Sequence, residues 1–178
     1  PIETPEGTEI GLRKNLAILA RVSTRTDLDE EKFFKDMELL GLEKDGAEGT
    51  EVFFNGIFIG GVKSPKEFVK KIIEKRRRSE LPIQMNIRYD NYFKNVLIST
   101  EPGRVLRPLV VVDGGASRLK DEHLIKIEQK EIKWNGLVKE GVIEYLDASE
   151  EDSALVALYK EELTPEHTHI EIDHADLF

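Results

Sequence analysis

Short apolar runs bounded by turn residues recur along the chain, and the clearest of them predicts a β-hairpin over residues 50–62. Two runs, Val-Phe-Phe and Ile-Phe-Ile, are separated by Asn55-Gly56. Asn-Gly supplies the two positive-φ positions of a type I′ turn, whose twist matches that of paired strands. Both strands are apolar on both faces, so we expect each side of the hairpin to be covered.

Helical periodicity flanks this hairpin on both sides. Asp27 or Asp29 is suited to cap a first helix, which Gly41 would end. Ser64-Pro65 predicts the N-cap and first residue of a second helix over residues 64–79. Apolar residues recur at helical spacing in both segments: Phe33, Phe34, Met37 and Leu40 in the first, and Phe68, Val69, Ile72 and Ile73 in the second.

Strand patterns follow the second helix, over residues 83–88, 96–100 and 105–112. Pro108 interrupts the last of these, which predicts an edge or bulge at that point. Further helices are predicted over residues 119–129 and 132–140, and further strands over residues 142–146 and 168–172. We therefore predict the α+β class, with mixed or antiparallel sheets, a few short helices and two interleaved small domains.

Charge is unevenly distributed along the 178 residues. The net charge of −9 argues against a nucleic-acid binder, since phosphate contact requires Lys and Arg. Residues 62–120, however, carry fourteen bases and six acids, an excess that could face a polyanion or the acidic flanks. Because no run approaches the roughly 18 apolar residues that span a bilayer, and cysteine is absent, we expect a soluble, cytoplasmic protein.

Two charged clusters have both a structural and a functional interpretation. Arg76, Arg77 and Arg78 end the second predicted helix, where cations complement the helix dipole. Contact with nucleic acid or with another subunit is the functional alternative for these three arginines. The acidic run at residues 150–152 is interpreted as a solvated turn or a helix start.

The chain contains no P-loop, GxGxxG, GxSxG or HExxH motif. His167, His169, Glu171 and Asp173 alternate and would share one face of a strand, and this ligand set suits Zn, Mn or non-haem Fe. Any solvated strand face shows the same alternation, and metal ligands usually converge from separate elements. We therefore expect no metal site and keep these four residues as weak candidates.

The chain opens on a rigid turn, in which Pro5 fixes φ and Gly7 suits the last position of a type I turn. Glu3 lies beside this turn, and the basic pair Arg13 and Lys14 follows. A surface loop is the simple interpretation. Glu3 is nevertheless the better functional candidate among the acids, because an active centre requires charge that is held in place.

The string PIETPEG, followed by IGLRKNLA, resembles the signature of the second-largest subunit of multisubunit DNA-directed RNA polymerases, in its archaeal or eukaryotic form. Four further matches follow in the same order: VFFNGIFIG at 52–60, GRVLRPL at 103–109, GLVKEGVIEYLD at 136–147 and HIEID at 169–173. Two departures from the family pattern are Thr8-Glu9-Ile10 and His174, which follows the last match.

The resemblance implies an internal part of that subunit. Residues 1–17 would end the fork region, and residues 28–103 would form external domain 2. This domain would be inserted into a discontinuous external domain 1, made of residues 18–27 and 104–178. The assembled enzyme would synthesise RNA from nucleoside triphosphates on a DNA template, while this part alone would be an inactive structural scaffold.

The resemblance also implies site residues, cofactors and partners. The active-centre-lining residues would be Glu3, Thr4, Pro5 and Gly7, and Arg13 or Lys14 would contact nucleic acid or neighbouring subunits. The Mg²⁺ ions of the two-metal reaction would be bound by the largest subunit and none by this chain. Expected partners are the largest subunit, the other subunits, the DNA template and the RNA–DNA hybrid, with no membrane.

Two other classes of function remain open from the sequence. A free-standing acidic module could bind a basic partner without any catalysis. A metal hydrolase using residues 167–173 is a weaker third possibility.

Overall fold

Two separate β-sheets, each with helices packed against it, form two hydrophobic cores. The computed structural model describes residues 16–44 and 49–172, together with Gly7. In chain order the elements are β1 (Arg21–Val22), α1 (Glu30–Leu39), β2 (Thr50–Phe54), β3 (Ile57–Val62), α2 (Pro65–Arg77), β4 (Asn86–Asp90), β5 (Asn95–Ser99), β6 (Val105–Asp113), β7 (Ala116–Ser117), α3 (Asp121–Glu128), α4 (Trp134–Lys139), β8 (Ile143–Asp147), α5 (Ala148–Glu151), β9 (Val156–Ala157), a 3-10 helix (Lys160–Glu162) and β10 (His169–Ile170). The α+β prediction is confirmed. We call α1, β2 to β5 and α2 the first lobe, and β1 with everything from β6 onward the second lobe.

The predicted hairpin is present as β2 and β3. The φ angles of Asn55 and Gly56 are 49° and 79°, as a type I′ turn requires. The Asn55 side chain has a second role, because its Oδ1 accepts from the backbone N of Thr100 at 2.8 Å and its Nδ2 donates to Thr100 Oγ1 at 3.0 Å. These two bonds tie the turn to the chain just after β5, the strand that pairs in parallel with β2.

The first sheet has the strand order β3-β2-β5-β4, and α1 and α2 cover one of its faces. Asp29 caps α1 by accepting from the backbone N of Lys32 at 3.1 Å, and Pro65 is the first residue of α2, as predicted. The buried core includes Phe33, Met37, Phe68 and Ile72 from the helices and Val52, Phe54, Ile87, Val96 and Ile98 from the strands. The other face leaves Phe58 49% exposed. The expectation that each side of the hairpin is covered is therefore confirmed for the side that faces the helices and stays a prediction for the other side.

Strand β6 is the centre of the second sheet. Strand β8 pairs along one of its sides, and β1 and β10 pair with different parts of the other side. Pro108 lies opposite Tyr145 of β8 and, on its other side, between the ends of β1 and β10. No described strand pairs with Pro108 on the side of β6 where β1 and β10 lie. Pro108 therefore needs no N–H donor on that side, as at a sheet edge, although β6 is a central strand.

The second core lies between this sheet and α4. Leu137 and Val138 of α4 pack there with Leu106, Val110, Ile143 and Tyr145. Trp134 Nε1 donates to the Tyr145 hydroxyl at 2.8 Å, so the single tryptophan of the chain has its polar group satisfied. The strand predicted over residues 168–172 is shorter than expected. Of the two interpretations of the acidic run after β8, the helix start is confirmed, because this run belongs to α5.

The first lobe is inserted into the second, and both connections between them lie side by side. Ser23 donates its backbone N–H to the carbonyl of Arg104 at 2.8 Å, and its own carbonyl accepts from Gly103 at 2.9 Å. The two cores divide close to the predicted boundaries at residues 28 and 103. Their equation with the two external domains of the polymerase subunit stays a prediction.

Two positive-φ glycines give a test of the packing of the first lobe. A Cβ at Gly60 would lie 2.5 Å from the carbonyl O of Glu43, whereas a Cβ at Gly103 would meet nothing within 4 Å. We expect Gly60→Ala to lower the free energy of unfolding by about 3 kcal/mol and Gly103→Ala by about 1 kcal/mol, since only the first adds a backbone collision to the conformational strain. Urea unfolding measures both, and equal losses would contradict this packing.

Candidate functional site

The residues predicted to line an active centre are mostly beyond what the structure describes. Glu3, Thr4, Pro5, Arg13 and Lys14 lie outside the described residues. Gly7 is described and has a φ of 82°, a conformation that favours glycine. The positions of these residues relative to an active centre stay predictions.

The arginines at the end of α2 lie at the contact between the two lobes. Arg76 is 2% exposed, and its guanidinium forms a two-pronged pair with Glu150 of α5, at 2.8 Å and 2.5 Å. It also donates to Glu144 of β8 at 3.1 Å and to the backbone carbonyl of Met85 at 2.5 Å. One side chain of the first lobe thus holds two carboxylates of the second.

Glu144 is the centre of this arrangement. Besides Arg76, it accepts two hydrogen bonds from Arg77, of 3.0 Å and 2.6 Å. His169 of β10 approaches from the second lobe, with its Nε2 2.6 Å from Glu144 Oε1. We call Arg76, Arg77, Glu144, Glu150 and His169 the buried charge network.

Burial and the neighbouring charges act in opposite directions on the network. Burial disfavours the ionised form of Glu144, but the charge of Arg76 and the hydrogen bonds from His169 and Arg77 outweigh it and hold the pKa of Glu144 well below its usual range. Burial also opposes charge on Arg76, yet Glu150 and Glu144 raise its pKa above the ordinary value. For Glu150, burial dominates and raises the pKa. Glu144 is therefore the carboxylate whose charge the folded protein stabilises.

A second set of contacts surrounds Asp147, at the end of β8. Its Oδ1 accepts from Asn86 Nδ2 of the first lobe at 2.6 Å, and its Oδ2 accepts from Arg104 at 2.7 Å. Arg104 also donates to the carbonyl of Gln84 at 2.6 Å. Burial opposes charge on Asp147, but the bond from Arg104 and those from the Glu150 amide and Ser149 outweigh it and lower its pKa.

Gly141 lets the lobes approach closely at the far end of the network. It has a φ of 67°, and a Cβ there would lie 2.7 Å from the backbone O of Arg77. Arg118 donates to the carbonyl of Gly141 at 3.2 Å and also pairs with Glu74 of α2 at 3.4 Å. Gly141, which directly follows the helix predicted over residues 132–140, thus brings the second lobe against α2.

These contacts correct the expectation for the arginine cluster. Arg76 has no surface left for nucleic acid or another subunit, because its guanidinium is enclosed by carboxylates and by a carbonyl of the chain itself. Arg77 is committed to Glu144 in the same way. Arg78 is exposed, so its contact with nucleic acid or a subunit stays a prediction.

Sequence reasoning missed Glu144 and Glu150 as partners of these arginines. Glu144 had a signal, since it is an acid inside the apolar run Val142-Ile143-Glu144-Tyr145-Leu146, where a charge must find a partner. Glu150 had no such signal, because it belongs to a run of acidic residues, which is typical of a solvent-exposed segment.

The weak metal candidates do not converge. His169 faces Glu144, Glu171 is paired with Arg107, and His167 Nδ1 accepts from the backbone N of Thr164 at 3.0 Å. Asp173 lies outside the described residues. The part of the chain that is described holds no group of three or more possible metal ligands.

A groove of about 740 Å³ runs between the lobes. Its walls mix acidic, basic and apolar side chains, including Asp29, Lys32 and Phe33 from the first lobe and Val138 and Lys139 from the second. Within the described ranges, no helix is long and apolar enough to cross a membrane.

Family models for RNA polymerase Rpb2 match the chain in three successive parts. Domain 3 matches residues 1–22, domain 4 matches residues 52–113, and domain 5 matches residues 134–175. The chain belongs to the Rpb2 family of RNA polymerase subunits. The resemblance found in the sequence is thereby confirmed.

Several relatives in the Rpb2 family match nearly the whole chain. DNA-directed RNA polymerase subunit Rpo2 of Sulfolobus acidocaldarius is 38% identical over 188 residues, which cover 97% of this chain and 17% of the relative. RNA polymerase III subunit RPC2 of Saccharomyces cerevisiae is 36% identical, over 96% of this chain and 15% of its own length. RNA polymerase II subunit RPB2 of Meyerozyma guilliermondii is 32% identical, over 92% and 16%. The chain thus spans about one sixth of the length of these relatives.

The buried charge network of this Rpb2-family chain can be tested with two neighbouring arginines. Arg76→Ala leaves Glu150 and Glu144 without their main partner in the interior, so we expect a loss of about 3–5 kcal/mol in the free energy of unfolding. Arg78→Ala removes an exposed arginine two positions away and should change stability by less than about 0.5 kcal/mol. Chemical denaturation of both variants checks this, and similar values for the two would contradict the role of Arg76.

The lowered pKa of Glu144 predicts how stability depends on pH. A lowered folded-state pKa contributes stability that is present above the unfolded value of about 4.3 and is lost as pH falls through the folded pKa. The stability difference between the native chain and Glu144→Gln should therefore be largest near neutral pH and shrink below about pH 4. Urea unfolding at a series of pH values measures it, with exposed Glu166→Gln as the control for losing one surface carboxylate. A difference that grows on acidification would contradict the assignment.

Proposed function

We propose that this chain is the part of the second-largest subunit of a DNA-directed RNA polymerase that scaffolds one side of the enzyme, and that its N-terminal PIETPEG motif lines the active centre. One observation carries the proposal. Nearly the whole chain, 97% of it, aligns with a protein named as DNA-directed RNA polymerase subunit Rpo2. The proposed reaction is RNA synthesis from nucleoside triphosphates on a DNA template, carried out only by the assembled complex.

The scaffold role is supported by the way the lobes are joined. The contact between them is made largely by paired charges and hydrogen bonds from Arg76, Arg77 and Arg104, whose partners lie on β8, on α5 and in the chain before β4. Hydrogen-bonded charge pairs hold one geometry, because sliding by a few ångströms would leave buried charges unpaired. Such a block would present fixed surfaces to the rest of a large assembly.

The proposed place of the motif is supported by the element that follows it. The chain that follows the motif reaches β1 at Arg21, and β1 pairs with Val105 and Leu106 of the central strand β6. The Arg21 guanidinium lies 5.2 Å from the centre of the Tyr145 ring, in a cation–π contact. The chain that follows the motif is therefore held at a fixed point of the second lobe where it reaches β1.

The proposal assigns a role to each motif residue. Glu3 and Thr4 would line the centre, Pro5 and Gly7 would shape the turn, and Arg13 or Lys14 would contact nucleic acid or neighbouring segments. The Mg²⁺ ions would be held by the largest subunit and would stabilise the charge that develops in phosphoryl transfer. The partners would be that subunit, the other polymerase subunits, the DNA template and the RNA–DNA hybrid, in the cytoplasm or, for a eukaryotic source, the nucleus.

The test replaces Glu3 by Ala in the assembled polymerase. Removing a charge that orients groups around a metal-dependent centre typically costs 10- to 100-fold, so we expect the elongation rate to fall about tenfold or fidelity to change, with assembly retained. Glu31→Ala, on the exposed side of α1, is the matched control and should leave the rate unchanged. The rate and fidelity are measured by single-nucleotide addition on a DNA template. If both are unchanged in Glu3→Ala, the proposed role of Glu3 is wrong.

A further inference from the structure

The outer face of the first sheet, the face that α1 and α2 do not cover, carries an apolar row across three strands. The register pairs Phe58 of β3 with Phe53 of β2, Phe53 with Leu97 of β5, and Leu97 with Arg88 of β4. The side chains before and after them on β2 and β5 point into the core and are buried, so this row points outward. The rings of Phe53 and Phe58 are in contact, edge to face, with centroids 5.9 Å apart.

Within the described residues only one end of this face is covered. Helix α5 of the second lobe lies against β4, where Ser149 Oγ accepts from Asn86 Nδ2 at 3.0 Å. At the other end Phe58 is 49% exposed. The sequence points the same way, since strands apolar on both faces are typical of sheets buried on both faces. The open part of this face is therefore built to be covered.

The charges beside the row select the kind of partner. Two residues along the strands, the next outward row holds Glu51 of β2, Asn95 of β5 and Asp90 of β4. The cation within these two rows, Arg88, is paired with Asp90 at 3.2 Å. A nucleic acid needs free cations to bind, and none is offered by these two rows. An apolar centre with a polar rim is instead the anatomy of a protein interface, and the acidic flank suits a basic side chain on the partner.

We propose that the outer face of β3, β2 and β5 is a docking surface for a segment of another polymerase polypeptide, one with an apolar centre and a basic residue placed against Glu51. The choice of a protein segment as the occupant follows from the apolar row of Phe58, Phe53 and Leu97 and from the exposed carboxylate of Glu51 in the next row. The inference rests on the proposed function, which supplies the assembly in which this partner is found.

The test uses assembled RNA polymerase in which the photo-crosslinking amino acid p-benzoylphenylalanine replaces Phe58. Irradiation should link this position to a second protein subunit. The same amino acid at Lys70, an exposed position of α2, is the matched control and should give about tenfold less of that product, because α2 lies on the opposite side of the sheet from the outer face. Both positions are exposed in the structure, so neither replacement disturbs the core.

A charge reversal tests the acidic flank. Glu51→Lys should lower the cross-linking yield from position 58 about fivefold, the effect of an exposed ion pair of about 1 kcal/mol. Glu31→Lys, on α1 and away from the outer face, makes the same change of charge and should leave the yield unchanged. Equal effects of the two reversals would overturn the proposed charge complementarity.

The outcomes separate this inference from the proposed function. An active, RNA-synthesising complex that gives no cross-link, a link within the same subunit, or a link to DNA or RNA would overturn the docking surface alone. Failure of the chain to enter any RNA-synthesising complex would overturn both proposals. A link to a second subunit that Glu51→Lys weakens and Glu31→Lys does not would support the inference.

Discussion

The pairing of Arg76 with Glu144 and Glu150 is the interaction on which the joining of the two lobes depends. Each of the three side chains is nearly inaccessible to solvent, and each would be costly if it stood alone. The first core and the second core are both complete without it, since their apolar residues come from within one lobe. Charge, not apolar burial, therefore determines how the two lobes are oriented.

Local signals were enough to predict the first lobe from the sequence. Asn55-Gly56 marked the hairpin, Asp29 and Pro65 marked the helix starts, and the apolar spacing of α1 and α2 marked the faces that meet the sheet. Each of these signals acts over a few residues, so it is readable without knowledge of the fold. The family could be identified for the same reason, since each motif that resembles it is a contiguous segment of the chain.

The contacts between the lobes could not be predicted in this way. Arg76 and Glu150 are separated by 74 positions, and nothing near either residue specifies the other. The arginine cluster was explained equally well by the helix dipole, by nucleic acid or by another subunit. The source of the cover for the outer face of the hairpin was also not predictable, since an apolar pattern on both faces shows that a cover is needed but not whether the same chain provides it.

The two connections between the lobes have a consequence for how this protein could have been assembled in evolution. The backbone of Ser23 is hydrogen-bonded to the backbones of Arg104 and Gly103, so the points where the chain leaves and re-enters the second lobe are adjacent. The first lobe is thus inserted where a tight turn would otherwise connect two parts of the second lobe. Its removal would leave two chain ends that a few residues could reconnect. The fold thus allows a smaller ancestral form, in which a plain loop stood where the first lobe now stands.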